Sequence, residues 1–221
     1  MAGEFLTLDE TASTLGVSTR HARRLADSGA ITRVARGLID RGSVDRYLHS
    51  QRQGRTRAWA EHTAWGAVAI LSGQDADWLG ETQASRLRSV LRETNDADDL
   101  LTRMRDRARV QTYLAHRAAL PRLRERVVST NQQLLGITDV ADDSIDGYLP
   151  ASGLDDVVRS LGLRADGSGS VVLRTTEFEF DRVRDLIATR TVAALDAGTS
   201  TDPRQRGIGR RTIRELLEAH R

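Results

Sequence analysis

The stretch LTLDETASTLGVSTRHARRLADSGAI, Leu6 to Ile31, restricts the fold more than any other part of this 221-residue chain. Thr7 and Glu10 stand at capping-box spacing, which starts a helix just after Thr7. Ala12 and Leu15 supply its buried side, and Gly16 can take the positive φ at which a helix ends. Ser18 is a good N-cap for a second helix from Thr19 to about Ser28, which Gly29 closes. On that helix Ala22, Leu25 and Ala26 share one face, and Arg20, Arg23, Arg24 and Asp27 share another. The small Ala12 permits a close crossing, and Val17 fills the gap between the helices. Two short helices joined by Gly-Val-Ser make the helix-turn-helix pattern. A plain helical hairpin with a solvated arginine face is the alternative.

After Gly29, the run AITRVARGLIDRGSVDRYL predicts a short β-hairpin turning at Arg36-Gly37, with Arg33 and Arg36 projecting from it. A further helix follows, with Ser43 as its N-cap and Val44, Tyr47 and Leu48 inward. From residue 5 to 50 the chain resembles the excisionase and MerR-type winged helix-turn-helix of bacterial regulators. The resemblance makes Ser18 to Arg24 the start of a recognition helix and Arg33 to Gly37 the wing, although the tip, ARGLI, is shorter than the family's glycine-rich tip. The implied contact set is Ser18, Thr19, Arg20, His21, Arg23, Arg24, Arg33, Arg36 and Gly37. Its chemistry suits double-stranded DNA. Arginine bonds bidentately to guanine O6 and N7, while hydroxyls and helix N-terminal amides hold phosphates. His21 is either a base or phosphate donor or an ordinary surface residue.

Charge is distributed to match. Residues 1–57 hold ten arginines against six carboxylates, a net +4, and the remainder stands at −2. A positive end of this kind is expected to meet a polyanion. All 33 basic residues are arginine, and a skewed base composition would produce the same bias. The absence of cysteine excludes disulfides and thiolate zinc sites. The opening Met-Ala-Gly-Glu lacks the features of a secretory signal, and the longest apolar run, near Ala64–Leu71, is far below the roughly 20 residues of a membrane span. A cytoplasmic protein without membrane contact is expected.

Beyond the polar, basic QRQGRTR, read as a linker with optional phosphate contacts, residues 58–110 read as helical. AEHTAWGAVAILSG, TQASRLRSVLRET and DADDLLTRMRDRAR are three helices, the last capped by Asp96. Residues 111–221 read as mixed α/β. VQTYL, RVV and IDGYLP predict strands, GLDDVVRSLGL a helix, and LRADGSGSVVLRT a hairpin around Asp166-Gly167. DRVRDLIATRTVAALDAG predicts one helix, and a last helix contains IRELLEAH. The fold class is therefore α+β, a winged helix-turn-helix in 1–57 followed by a helical segment and an α/β domain.

Catalytic signals are weak. GSGS at Gly167–Ser170 reads as a turn, and GIGRRT at Gly207–Thr212 opens a helix without a preceding strand. Glu177, Glu179 and Asp181 alternate after Gly169-Ser170, as nucleotidyltransferase carboxylates do, but Phe178 and Phe180 alternate with them as in any half-buried strand. No catalytic set, metal site or cofactor is expected. Through AWGAVAILSG, ALPRLRERVVST, DGYLPASGLDDVVRSLGL and VAALDAGTSTDPRQRGIGRRTIRELL, residues 58–221 resemble actinobacterial antitoxins of the abortive-infection, nucleotidyltransferase-type (type IV) pairs. That resemblance implies an autoregulating, DNA-binding antitoxin. The expected partners are operator DNA, a second copy of the chain and a cognate toxin. An excisionase-like architectural factor and a DNA-targeted nucleotidyltransferase are the alternatives.

Overall fold

Local caps set the first elements. In the computed structural model, which describes residues 5–35, 37–45, 47, 57–138, 143–167, 169–200 and 202–221, the chain divides into two compact units, 1–57 and 58–221. The described residues are mixed α and β and form two sheets.

In the first unit, strand β1 (Phe5–Thr7) runs into helix α1 (Leu8–Leu15). The Thr7 hydroxyl accepts from the Glu10 backbone N–H, and the Glu10 carboxylate accepts from the Thr7 N–H at 2.8 Å, so the capping box is complete. Gly16 ends α1 at φ 65°. Helix α2 (Thr19–Asp27), strands β2 (Arg33–Ala35) and β3 (Leu38–Asp40), and a helical stretch at 41–45 (α3) follow. The sheet is antiparallel in the order β1-β3-β2, with Leu6 opposite Ile39. Leu6, Ile31, Ile39 and Val44 form the core, against which Leu8, Leu15, Leu25, Ala26 and Tyr47 pack. Asp40, not Ser43, caps α3. Its carboxylate accepts from the Ser43 N–H at 2.8 Å, because Asp40 already offers an N-cap oxygen three residues earlier. Ser43 is buried instead, donating to the Asp40 carbonyl and accepting from the Thr32 N–H.

The second unit contains α4 (Glu61–Leu71), α5 (Glu81–Glu93), α6 (Ala97–Arg103), β4 (Arg109–Leu114), α7 (Leu120–Arg126), β5 (Val128–Ser129), β6 (Ile145–Pro150), α8 (Leu154–Ser160), β7 (Arg164–Ala165), β8 (Val171–Thr176), α9 (Phe180–Ile187), α10 (Arg190–Gly198) and α11 (Pro203–Ala219). The sheet order is β5-β6-β8-β4-β7, antiparallel except for the β6–β8 pair. One core, including Leu123, Val157, Val171 and Leu173, binds α7 and α8 to the sheet. The other gathers Trp65, Leu87, Leu91, Leu100, Tyr148, Leu186, Leu195 and Ile213. This second core joins helices from before and after residue 110, so the helical segment and the α/β segment share one body.

Three local expectations change. β7 and β8 do not form a hairpin with each other, because β4 lies between them and Tyr113 faces both Ala165 and Val171. Gly169 passes so close to the Tyr113 carbonyl that a Cβ there would overlap it. The alternating EFEF run after Thr176 is not strand, since β8 ends there. The Thr176 hydroxyl accepts from both the Phe178 N–H and the Trp65 indole N–H, which turns the chain out of the sheet. The long helix expected from Asp181 is two, because Thr189 caps a new start at α10.

A charged cluster is buried against the helical face of the sheet. Arg107 and the Tyr148 hydroxyl both donate to Asp196 Oδ1, at 2.5 and 2.8 Å. Arg174 grips Asp146 bidentately at 2.6 and 2.8 Å and approaches Asp196 to 3.3 Å. The Trp65 ring meets Tyr148 edge-on at 5.8 Å.

Candidate nucleic-acid interface

Of the sequence-derived contact residues, Thr19, Arg20, His21, Arg23 and Arg24 lie on α2 with Ser18 as its N-cap, and Arg33 is joined to the end of that helix through Asp27. Ala22 is fully buried and Leu25 and Ala26 pack on the core, so the opposite face of α2 is turned outward by helical periodicity. Arg20, Arg23 and Arg24 are exposed there. Ser18 caps the helix, accepting from the His21 N–H at 3.3 Å. Its hydroxyl proton is left to donate elsewhere.

The arginines differ in what they touch. Arg24 donates to His21 Nδ1 at 2.9 Å, which leaves the Nε2–H of that half-buried ring as a donor. Arg33 pairs with Asp27 at 2.7 Å, tying β2 to the end of α2. Arg20 and Arg23 have no hydrogen-bond or ion-pair partner among the described residues. Thr19 donates to Asp9 at 3.1 Å and so links α2 to the start of α1.

The β2–β3 turn is tight, and Gly37 sits at φ 81°, a conformation other residues rarely adopt. Arg36, expected at the tip, lies outside the described residues, as do Leu48 and residues 51–56 of the expected linker. The chain matches no protein-family model, no curated protein and no solved structure.

The α2 surface has a definite chemistry. Two unpaired guanidiniums, a third held in place by an imidazole and a helix N-terminus together attract anions and present planar donor forks. Sequence spacing placed the arginines on this face, since a single helix determines it. It did not reveal Arg33–Asp27 or Thr19–Asp9, which join different elements, although acidic side chains at residues 9 and 27 beside a basic helix were a usable hint.

The rival carboxylates are arranged differently. Glu179 is held by Arg182 at 2.7 Å, and the Glu61 carboxylate accepts from the Glu177 backbone N–H at 3.0 Å. The GIGRRT run lies inside α11, where Gly209 abuts α10, rather than opening a helix. Among the described residues no three His, Asp or Glu side chains converge as a metal set, and no helix is long and apolar enough to cross a membrane.

Proposed function

We propose that this chain is a sequence-specific DNA-binding regulator whose first unit acts as a winged helix-turn-helix. The observation that carries the reading is the outward face of α2, where Arg20 and Arg23 are exposed without a partner among the described residues. Exposed arginines held on a short capped helix suit direct reading of guanine in a major groove. The β2–β3 hairpin is the wing, with Arg33 oriented by Asp27. The positive charge of residues 1–57 supports the same reading.

A single module of this size buries roughly 600–1,000 Å² on DNA, so a second copy is needed for tight reading. The operator should then hold two half-sites about 10 base pairs, or a multiple, apart. The second unit, with two cores of its own, serves assembly and partner binding rather than catalysis, and an autoregulating antitoxin paired with a toxin fits this division. The test is nuclease footprinting of the full chain on the DNA upstream of its own gene. Protection of two spaced half-sites supports the proposal, whereas uniform weak protection at every sequence contradicts it.

A further inference from the structure

Charge on the second unit is sorted between the two ends of α5. Residues 58–221 stand at only −2 overall, so the sorting is not a matter of excess. α5 has 13 residues, and at about 1.5 Å per residue its ends lie about 20 Å apart.

At its first end, the starts of α4 and α5 meet the loop around Trp78 and the segment after β8. The Trp78 indole donates to the His62 carbonyl, Gln83 donates to the Thr63 hydroxyl, and the Glu61 carboxylate accepts from the Glu177 N–H. Glu61, Asp77, Glu81, Glu177 and Glu179 are thereby gathered around Arg182. Arg182 shows what such an end accepts. Asp77 and Glu179 grip it at 2.6 and 2.7 Å, while its guanidinium lies 5.8 Å from the centre of the Trp78 ring. Glu81 and Glu177 remain exposed, with no side-chain partner among the described residues.

At the other end, Arg88 and Arg92 stand one turn apart on α5, and His220 at the end of α11 lies beside both. Like charges at this spacing repel. Neither guanidinium has a partner among the described residues, and Arg221 donates to Asn95 just past the helix. Burial first, then Arg92 and Arg88, hold His220 below its ordinary value, and no carboxylate counters them. The nearby acids are turned elsewhere. Glu93 accepts from the Ser89 hydroxyl, Asp96 accepts from the Asp98 N–H, and helical periodicity carries Glu218 to the far side of α11 from His220. The dipole of α5 accounts for Glu81 and Arg92, but not for the carboxylates and cations that other elements add at each end.

We propose that second units associate head to tail, the arginine end of one copy docking on the carboxylate end of the next. A second copy answers both ends at once, whereas an outside partner would answer only one. Because the patches lie at opposite ends of one body, the contact is heterologous and repeats, giving an open array rather than a closed pair. Exposed ion pairs are individually weak and are screened by salt, so free chains should associate only at high concentration. The inference rests on the assembly role given above to this unit and requires no DNA, so operator binding and self-association can fail separately.

Sedimentation velocity of the full chain, up to millimolar concentration, is compared at about 0.1 M and about 1 M salt, between which the screening length falls from about 10 Å to about 3 Å. At low salt the average mass should rise with concentration past two copies, and at high salt it should return to that of one. Two reversals, Arg88→Glu with Arg92→Glu and Glu81→Arg with Glu177→Arg, should each abolish the rise, with the fold confirmed by circular dichroism. Mixed together, the two variants should associate, because one offers acidic ends and the other basic ends. A chain with all four substitutions should regain self-association, which a merely unfolded variant cannot do. The proposal is overturned if wild type stays monomeric at low salt, if its mass stops at two copies, or if the mixture stays apart. It is also overturned if only the arginine reversal matters, which would give that end to another anionic partner.

Discussion

Ser18 and Glu10 show how single side chains hold the first unit. The Ser18 oxygen satisfies the His21 amide at the start of α2, so Ser18→Ala should cost about 1 kcal/mol. Urea unfolding of the first unit, followed by circular dichroism, measures it. Glu10 is held below the usual carboxylate range, first by the Thr7 backbone N–H and then by the Thr7 hydroxyl. A carboxylate whose pKa falls on folding stabilises the fold fully above its unfolded pKa and loses that contribution as pH drops through the folded value. Wild type and Glu10→Gln should therefore differ at neutral pH and converge in acid. A difference that persists below the carboxylate range would show that charge is not what Glu10 supplies.

Two glycines of α11 argue the same physics at the scale of helices. A Cβ on Gly209 would overlap the Gly198 amide and the Ala194 carbonyl of α10, whereas a Cβ on Gly207 would meet nothing. Gly209→Ala should lower stability by about 1–3 kcal/mol or more, since backbone cannot move aside as a side chain can. Gly207→Ala, two residues away, should raise stability by about 0.5–1 kcal/mol through helix propensity. Melting both variants checks the opposite signs. Elements of this kind were legible in the sequence wherever the cause was local. The Thr7–Glu10 box, the α2 arginine face and the Asp96 cap each lie within a few residues, and the structure has all three. The insertion of β4 between β7 and β8 was not legible, because it pairs residues 50 or more positions apart. EFEF reads as a strand by alternation, but Thr176 turns the chain through a hydrogen bond to Trp65, which no local pattern encodes. The buried cluster of residues 107, 146, 148, 174 and 196 was invisible for the same reason. Asp40 and Ser43 are both good caps, and their spacing alone does not rank them.

For the whole molecule, the division at residue 57 separates two bodies with their own cores. A fragment of residues 1–57 should keep the sequence preference of the full chain at lower affinity, because a second copy raises the effective concentration at the neighbouring half-site. Fluorescence anisotropy on cognate and scrambled duplexes compares the two forms. A fragment with no preference would assign base reading to the second unit. The claim on which the account rests is that Arg20 and Arg23 read DNA, and the salt dependence of binding tests it most directly. Arg20→Ala with Arg23→Ala should reduce affinity for the operator by roughly 1–3 kcal/mol per lost base contact while nonspecific affinity changes less. If either arginine contacts phosphate instead, the slope of affinity against salt should flatten by about one unit for each. A folded double variant that keeps the wild-type operator affinity and the wild-type slope would contradict the account.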